Sequence, residues 1–567
     1  MDFMPVYVSC GFVLMLLLPE CTRQSCTEGK PKECLEAEFA PGTNLAGEGF
    51  DITKMEYKGS YVIDMNKWKR KDKTCTLCTN PFMDNKKQKV PLSVLDWRAK
   101  QLCSAKVSGQ LHTSSESLIS SSSSSVENNW KINLEVNMKT TSGKLMLAGT
   151  HSKMADYSME KSKSDKYSFS SQSISCEYYR YKISSTPKPH RDFQKALKGL
   201  PKTYNAESKQ QYYGLIDKFG THYITKVMFT LGIYDKLLLI IRECEASLQG
   251  LSANEVQSCL EMEASASYGP VSAQAEAKNC KKDIQKSDKK LSFASSFNDR
   301  FTEIKGGHTT EPDLMFSADK DPSAYKEWLT SLPQHPDIIS YSLDSLHELL
   351  PPKTPSHKQL RTAISHYILE RGLWRNCSTP CSAGVKTDPR DPCVCQCHNN
   401  AAVNQNCCPT QRGLARVIIT VQRASGLWGD STTATDGYVK VFRGETFWRS
   451  IVVSNNNNPH FGYVIDWGNV NLLMVNKVRF EVWDQDILTP GVKQDMCFLN
   501  HGQLFFKLDV VCAPSLGGNS CSDYKASPMS KTLEGWFRSR HAHPVPKALL
   551  QEWGVFMNVS NSNQTRV

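Results

Sequence analysis

Four aspartates stand where two loops of a strand-rich region would meet. Asp430 and Asp436 share the segment GLWGDSTTATDGY, and Asp484 and Asp486 follow KVRFEVW in WDQDIL. Alternate residues leaving a strand share a face, so Asp484 and Asp486 can aim at one point. Carboxylates gathered at one end of a β-sandwich repel one another unless something neutralises them. A hard cation with oxygen ligands does so, and calcium accepts about six to eight such ligands in flexible geometry. Solvated loop aspartates without an ion are the plainer reading of the spacing alone. The elements that must position these loops are short strands at residues 415–421 (ARVIITV), 437–442 (GYVKVF) and 477–483 (KVRFEVW). They are β-branched and aromatic, with turn residues between them, and about 100 residues of this texture predict a β-sandwich.

With those loops in view, the block resembles a C2 domain, whose apical loops bind calcium and then lipid headgroups. The resemblance assigns Asp430, Asp436, Asp484 and Asp486 to the metal. It adds Gly429 and Thr433 as loop ligands and Asn455, which opens the facing loop NNNNP. In the third loop the segment ILTPGVK intervenes, and Asp495 is the next acidic residue. That departure leaves the second calcium position open. Leu427 and Trp428 at the first loop's tip are expected to be exposed, where an aromatic suits a membrane interface. Packing of Trp428 into the sandwich is the alternative.

The chain has 567 residues, a formal net charge of +11 and 21 cysteines. So many cysteines imply an oxidising compartment. Residues 6–18 (VYVSCGFVLMLLL) are too short to span a bilayer and fit a signal h-region. The expected order is a signal peptide at 1–21, a large block at 22–372, a cysteine-rich linker at 373–411, the C2 domain at 412–510 and a polar tail at 511–567. The linker holds Cys377, Cys381, Cys393, Cys395, Cys397, Cys407 and Cys408, too dense for a core and therefore stapled by disulfides. The serine run at 114–125 reads as a flexible loop. Sequons for N-glycosylation lie at Asn376, Asn558 and Asn563.

In the large block, Tyr212 is followed after six residues by Phe219, Gly220, Thr221, His222 and Tyr223. This matches the signature of the membrane attack complex/perforin superfamily. Further resemblances are NLAGEGFDIT at 44–53, CTLC at 75–78, YSLDSLHELL at 341–350 and DPCVCQCH at 391–398. The order of pore-forming block, EGF-like patch and C2 domain is that of the superfamily's perforin branch. The resemblance implies an α+β fold: a MACPF domain with a bent central antiparallel sheet and two helical clusters, a small disulfide-rich EGF-like module and an all-β C2 sandwich. It places the clusters near 128–184 and 245–305, and a hinge at Gly306 and Gly307. Lacking catalytic partners, His222 reads as structural.

The residues themselves support membrane-crossing strands, since a closed β-barrel satisfies every backbone group in lipid without apolar helices. Trp130, Ile132, Leu134, Val136 and Met138 alternate with polar residues, as a lipid-facing strand does. Leu260, Met262, Ala264 and Ala266 alternate likewise, and residues 271–277 (VSAQAEA) repeat the pattern after a Gly-Pro turn. The Ala- and Glu-rich composition there suits helices equally well, and ordinary half-buried strands remain the bland reading of the first segment.

The resemblance implies a calcium-dependent cytolytic pore former: calcium is the cofactor, a phospholipid membrane the partner, and self-association gives a ring-shaped homo-oligomer. It also implies secretion, storage in acidic granules and insertion into a target membrane. A calcium-dependent lipid-binding protein that never inserts is the alternative. Neither a G-x-S-x-G elbow nor an H-E-x-x-H helix occurs, so an enzyme with a small-molecule substrate is not expected. Scattered basic residues argue against nucleic acid as a partner.

Overall fold

The computed structural model describes residues 26–103, 108–124, 143–268, 299–308, 322–376, 385–386, 395–397, 399–401, 403–406, 408–429, 433–474, 477–489, 492–496, 501–513, 515–525 and 542–556. The leader at 1–21, the segment carrying Trp130, Ile132, Leu134, Val136 and Met138, residues 271–277, Asp430, Asn558 and Asn563 lie outside the described residues.

An antiparallel sheet of eight strands organises the large block. Its strands are β1 (Glu48–Asp51), β2 (Glu56–Tyr61), β3 (Val94–Cys103), β4 (Ser108–His112), β5 (Tyr167–Ile183), β6 (His222–Arg242), β7 (Arg300–Lys305) and β8 (Asp337–Ser345). β5 and β6 form one long ribbon, paired from Phe229 and Tyr181 to Arg242 and Tyr167. The flanking strands come in halves: β3 and β4 both lie on β5, and β8 and β7 both lie on β6. The two interruptions fall at one level. Cys103 pairs with Cys176 and Ser108 with Ser173, while Asp337 pairs with Gly232 and Lys305 with Tyr234. The ribbon's own register shifts at Leu231 and Gly232. A bulge bends the strand that carries it, so the bend and both broken edges share one height.

β6 carries an apolar run, LLLII at 237–241, because it is covered on both faces. Leu237, Leu239 and Ile241 pack with Val256, Leu260 and Ala264. Leu238 and Ile240 pack on the other side with Leu118, Met154 and Phe169. The covering helices are themselves connections between neighbouring strands. Residues 113–166 join β4 to β5 through helices Ser115–Ser124 and Lys153–Ser164. Residues 243–299 join β6 to β7 through helices Glu243–Leu248 and Ala253–Tyr268. β7 pairs directly with β6, and β4 with β5. Each helical cluster therefore occupies the position of a hairpin loop.

This geometry corrects the expected cluster boundaries. Tyr167–Ile183, expected inside the first cluster, is the central strand β5, and Arg300–Lys305, expected inside the second, is β7. The serine run is also not a loop. Residues Ser115–Ser124 form a helix, since Leu118 packs on the sheet, Ile119 is buried and the Ser122 and Ser123 hydroxyls bond back to the helix. Ser122 Oγ donates to Leu118 O (2.9 Å), and Ser114 and Ser117 cap each other's backbone N–H groups. In Ala253–Tyr268, Leu260 and Ala264 are buried four apart, a helical spacing, with Met262 half-buried between them and Ala266 in the same helix. The spacing of four satisfies a strand's period of two as well, which is why the sequence leaves both states open.

The C-terminal sandwich has strands β9 (Leu414–Ser425), β10 (Gly437–Arg443), β11 (Thr446–Arg449), β12 (His460–Asn471), β13 (Arg479–Thr489), β14 (Val492–Met496) and β15 (Gln503–Cys512). Sheet β12-β9-β15 faces sheet β11-β10-β13-β14, with Val417, Ile419 and Val421 packed against Val439 and Val441. Among the described disulfides, Cys26–Cys78 and Cys34–Cys75 staple the N-terminal region, Cys244–Cys408 ties the second cluster to the cysteine-rich segment, and Cys512–Cys521 closes the sandwich's end.

Residues 511–567 are more than a tail. Strand His543–Pro544 pairs with Leu373–Asn376, and Leu550, Trp553 and Val555 join the core of the large block. The buried ammonium of Lys209 bonds Glu370 and the carbonyl of Phe556, anchoring this return.

Candidate functional site

The first calcium-type loop leaves β9, and its facing loop leads into β12. Gly429 N donates to Thr435 Oγ1 (3.1 Å), and Thr435 in turn bonds Asn457 Oδ1 through both N and Oγ1 (2.9 and 2.8 Å). Gly426 N donates to Asn458 Oδ1 (3.0 Å), and Ala434 N to Asn455 Oδ1 (3.1 Å). The asparagine run is thus a brace whose amide oxygens hold the first loop. Sequence reasoning named Asn455 alone and missed Asn457, Asn458 and Thr435; the run of four asparagines opposite the aspartate loop was the available signal.

Asp436 leads into β10, and Asp484 lies beside it on β13, with Gly437 paired to Asp484. Asp484 is 4% exposed, and its Oδ1 accepts from Asp436 N (2.7 Å). Asp436 Oδ1 accepts from Asn455 N (2.6 Å), and Asn455 takes a left-handed backbone (φ 53°) to deliver it. A Cβ on Gly429 would lie 1.7 Å from Asp484 Oδ2, so the first loop wraps over that carboxylate only because residue 429 lacks a side chain. Ionised carboxylates taken out of water cost several kcal/mol unless compensated. A calcium ion would supply that compensation, and the donor set of carboxylates and loop oxygens fits one. Asp486 lies two residues along β13 from Asp484, in phase with it, whereas Asp495 pairs with Gln485, one residue out of phase. Thr433 is exposed beside the loop.

The loop tip splits. Trp428 is 58% exposed and stacks loosely on His501 (centroids 5.5 Å apart). Leu427, expected to be exposed with it, is 3% exposed and belongs to the sandwich core. Leu427 N donates to Asn457 O (2.9 Å), which turns this residue inward and its neighbour outward.

In the large block the signature residues form a crossing. Helix Lys209–Phe219 ends at Gly220, whose φ of +84° and close approach to Phe50 exclude a Cβ: one would lie 2.6 Å from Phe50 O. Thr221 N donates to Phe50 O (2.9 Å), and Ile52 N donates to Thr221 Oγ1 (3.0 Å). The signature thereby clamps β6 onto β1, within the quoted NLAGEGFDIT segment. Tyr212 and Phe219 are buried, as is Tyr223, and Tyr212 OH donates to Pro201 O (2.7 Å). His222 is fully buried with Nδ1 on Thr221 Oγ1 (2.8 Å). Burial, with His347 adding, pushes its pKa down to about 3.

Gly306 and Gly307 follow β7 at the broken level of the sheet, both at positive φ (76° and 71°). Gly307 N donates to His335 O (2.7 Å), and a Cβ on Gly307 would lie 2.7 Å from the Trp328 ring, whose Nε1 donates to Gly306 O (3.0 Å). Among the described residues no helix is long and apolar enough to cross a membrane, which leaves crossing by strands untouched. Asn376 ends the strand Leu373–Asn376.

Comparison with known families matches residues 39–376 to the MAC/Perforin domain, 376–410 to the Perforin-1-like EGF domain and 415–498 to the C2 domain. Human Perforin-1 is 39% identical over 517 residues, covering 88% of this chain and 93% of that protein. The chain belongs to the perforin family. Mouse (Mus musculus) Perforin-1 is 37% identical, covering 91% of this chain and 96% of its own. The rabbit (Oryctolagus cuniculus) complement component C8 alpha chain is more distant, 27% identical over 36% of this chain. This perforin-family chain is a calcium-dependent pore-forming cytolytic protein, with helix and sheet combined in a MACPF domain, an EGF-like module and a C2 sandwich.

Proposed function

We propose that calcium at Asp430, Asp436, Asp484 and Asp486 docks the C2 loops on phospholipid, and that the docked monomers assemble into a ring in which each helical cluster converts into a transmembrane β-hairpin. Gly429, Thr433 and Asn455 shape the calcium loops, Asp495 borders them, and Trp428 enters the interface. No bond is made or broken, so no catalyst takes part. The domains on this reading are the pore-forming block at 22–372, the EGF-like linker at 373–411 and the C2 sandwich at 412–510, after a leader at 1–21. Secretion passes through acidic granules, where protons compete with calcium for the carboxylates and suppress docking.

The observation that carries this reading is the topology: each cluster connects adjacent antiparallel strands, β4 to β5 and β6 to β7. Unfurling either cluster simply prolongs a hairpin already started. The connections 113–166 and 243–299 exceed the ~20 residues that two membrane-crossing strands require. Leu260, Met262, Ala264 and Ala266 then give one lipid-facing row, and Trp130, Ile132, Leu134, Val136 and Met138 another. Gly306 and Gly307 supply the dihedral freedom as the sheet straightens. Cys244, bonded to Cys408, sets where the second hairpin begins.

Dye release from liposomes, with and without calcium, tests the reading. Calcium-dependent leakage is expected, and an engineered disulfide joining helix Ala253–Tyr268 to β4 should abolish leakage while docking persists. Docking without leakage in the unlocked protein would instead support a lipid-binding protein that never inserts.

A further inference from the structure

Three metal-ligating side chains meet at a place that neither the calcium loops nor the hairpins use. β8 ends at Ser345 and passes into a 3-10 turn, Leu346–Leu349, which carries His347 and Glu348. The proline-rich segment at 351–355 folds the chain back, and the first turn of helix Pro355–Glu370 brings His357 alongside. The two imidazole rings stand edge to face with centroids 4.8 Å apart. One ligand atom from each of His347, Glu348 and His357 lies within 4.8 Å of the others. His347 Nε2 is 3.2 Å from one Glu348 carboxylate oxygen, and His357 Nε2 is 4.0 Å from the other. Ligands at ~2.0–2.1 Å around a tetrahedral ion stand ~3.4 Å apart, so little closing is needed.

The polar groups point the same way. Ser345 Oγ occupies His347 Nδ1 (2.8 Å), which fixes the ring and turns Nε2 toward the cluster, the orienting role that outer hydrogen bonds play at metal centres. His357 Nε2 is buried and makes no hydrogen bond. Such an orphaned nitrogen is costly, and ligation would satisfy it. Arg361 lies close enough to His347 to act on it electrostatically. Arg361 is the cation that opposes a metal here, and the Glu348 carboxylate offsets it. Glu348 is the exposed member of the three, so water can complete the shell on its side.

We propose that His347, Glu348 and His357 form a site for a divalent transition-metal ion of the zinc class, separate from the calcium loops. Two imidazoles and one carboxylate select such an ion over calcium, which favours oxygen ligands. The site braces the origin of β6: Leu346 N donates to Thr221 O (3.0 Å), and Ser345 pairs with His222. A bound ion would fasten that junction to helix Pro355–Glu370, at the end of β6 remote from the second helical cluster.

The full-length protein, stripped with chelator and returned to saturating calcium, should bind one zinc ion per chain by calorimetry, with a higher thermal midpoint. Cobalt should give the intense visible bands of a tetrahedral nitrogen-ligated ion. Glu348→Gln and His357→Gln should each weaken zinc binding at least tenfold and leave calcium-dependent vesicle docking intact, whereas Asp484→Ala should leave zinc binding unchanged. Should His357→Gln fail to fold, Glu348→Gln and the cobalt spectrum of the parent protein decide. Absence of zinc binding, equal binding in the variants, loss of it in Asp484→Ala, or a cobalt spectrum without those bands overturns the proposal.

Discussion

At the scale of single residues, neighbours in the chain have opposite tasks. Leu427 is sandwich core, so Leu427→Ala should cost about 2–5 kcal/mol of stability, read as a lower melting temperature. Trp428 stands in solvent, so Trp428→Ala should leave stability alone and weaken vesicle binding at saturating calcium by roughly ten- to a hundredfold, the loss of about 1.5–3 kcal/mol of apolar burial. Gly429→Ala forces a methyl onto the Asp484 carboxylate, 1.7 Å from Oδ2. It should raise the calcium concentration needed for docking by an order of magnitude or more, measured by vesicle co-sedimentation. His222 makes a different forecast. Its folded pKa of about 3 lies below the unfolded value near 6.5, so its neutral burial contributes stability at neutral pH. That contribution is lost as pH falls below about 6.5, at about 1.4 kcal/mol per pH unit until the folded pKa is reached. Melting curves from pH 7.4 to 5 should therefore slope less in His222→Gln than in the parent, and an unchanged slope would rule this group out. The shared face of Asp484 and Asp486 follows from two-residue spacing on a strand, a local rule, whereas the meeting of Asp436 with Asp484 needed the pairing of β10 with β13. The inward turn of Leu427 was likewise not legible in the sequence, because it depends on a hydrogen bond to Asn457 in a different loop.

Elements show which segments are held by their surroundings. The serine run is helical because the sheet covers Leu118 and hydroxyls such as that of Ser122 bond within the helix, and neither fact follows from low complexity. β5 and β7 were absorbed into the expected clusters because a strand and a weakly apolar helix can carry similar residues. Pairing with β6 decided their state. Gly307 combines positive φ with a Trp328 ring 2.7 Å from any Cβ. Gly307→Val should keep calcium-dependent docking and lose most dye release, since a β-branched residue resists both the present dihedral and a large change in it. Full lysis by that variant would remove the glycine pair from the mechanism.

The whole molecule is joined more tightly than a string of modules. The cysteine-rich segment docks on the start of the second cluster through Cys244–Cys408, a bond from Asn404 Nδ2 to Ser247 Oγ (3.0 Å), and Lys166 Nζ to Asn406 O (2.7 Å). Lys166 also pairs with Glu243 (2.8 Å), both buried beside that junction. The C-terminal return closes the chain on itself, so truncation after residue 541 should leave the large block unable to fold although its own sequence is intact. Trp553→Ala alone should cost about 3–5 kcal/mol, read by thermal melting and secreted yield. The sequons at Asn558 and Asn563 follow directly after this return. If their glycans hinder ring assembly, glycosidase treatment should increase oligomerisation on liposomes.

Residue types alone identified the family, the export-type cysteine content and the two alternating segments, and pointed to the calcium-type aspartates. Each rests on residue type at short spacing, where backbone geometry fixes which side chains share a face. Tertiary structure decided what covers those faces. It set Leu427 inward and Trp428 outward, made the serine run a helix, placed the clusters as hairpin connections, drew residues 542–556 into the core and brought His357 to His347 and Glu348. Those outcomes depend on contacts between segments far apart in the chain, whose free energies no local pattern contains.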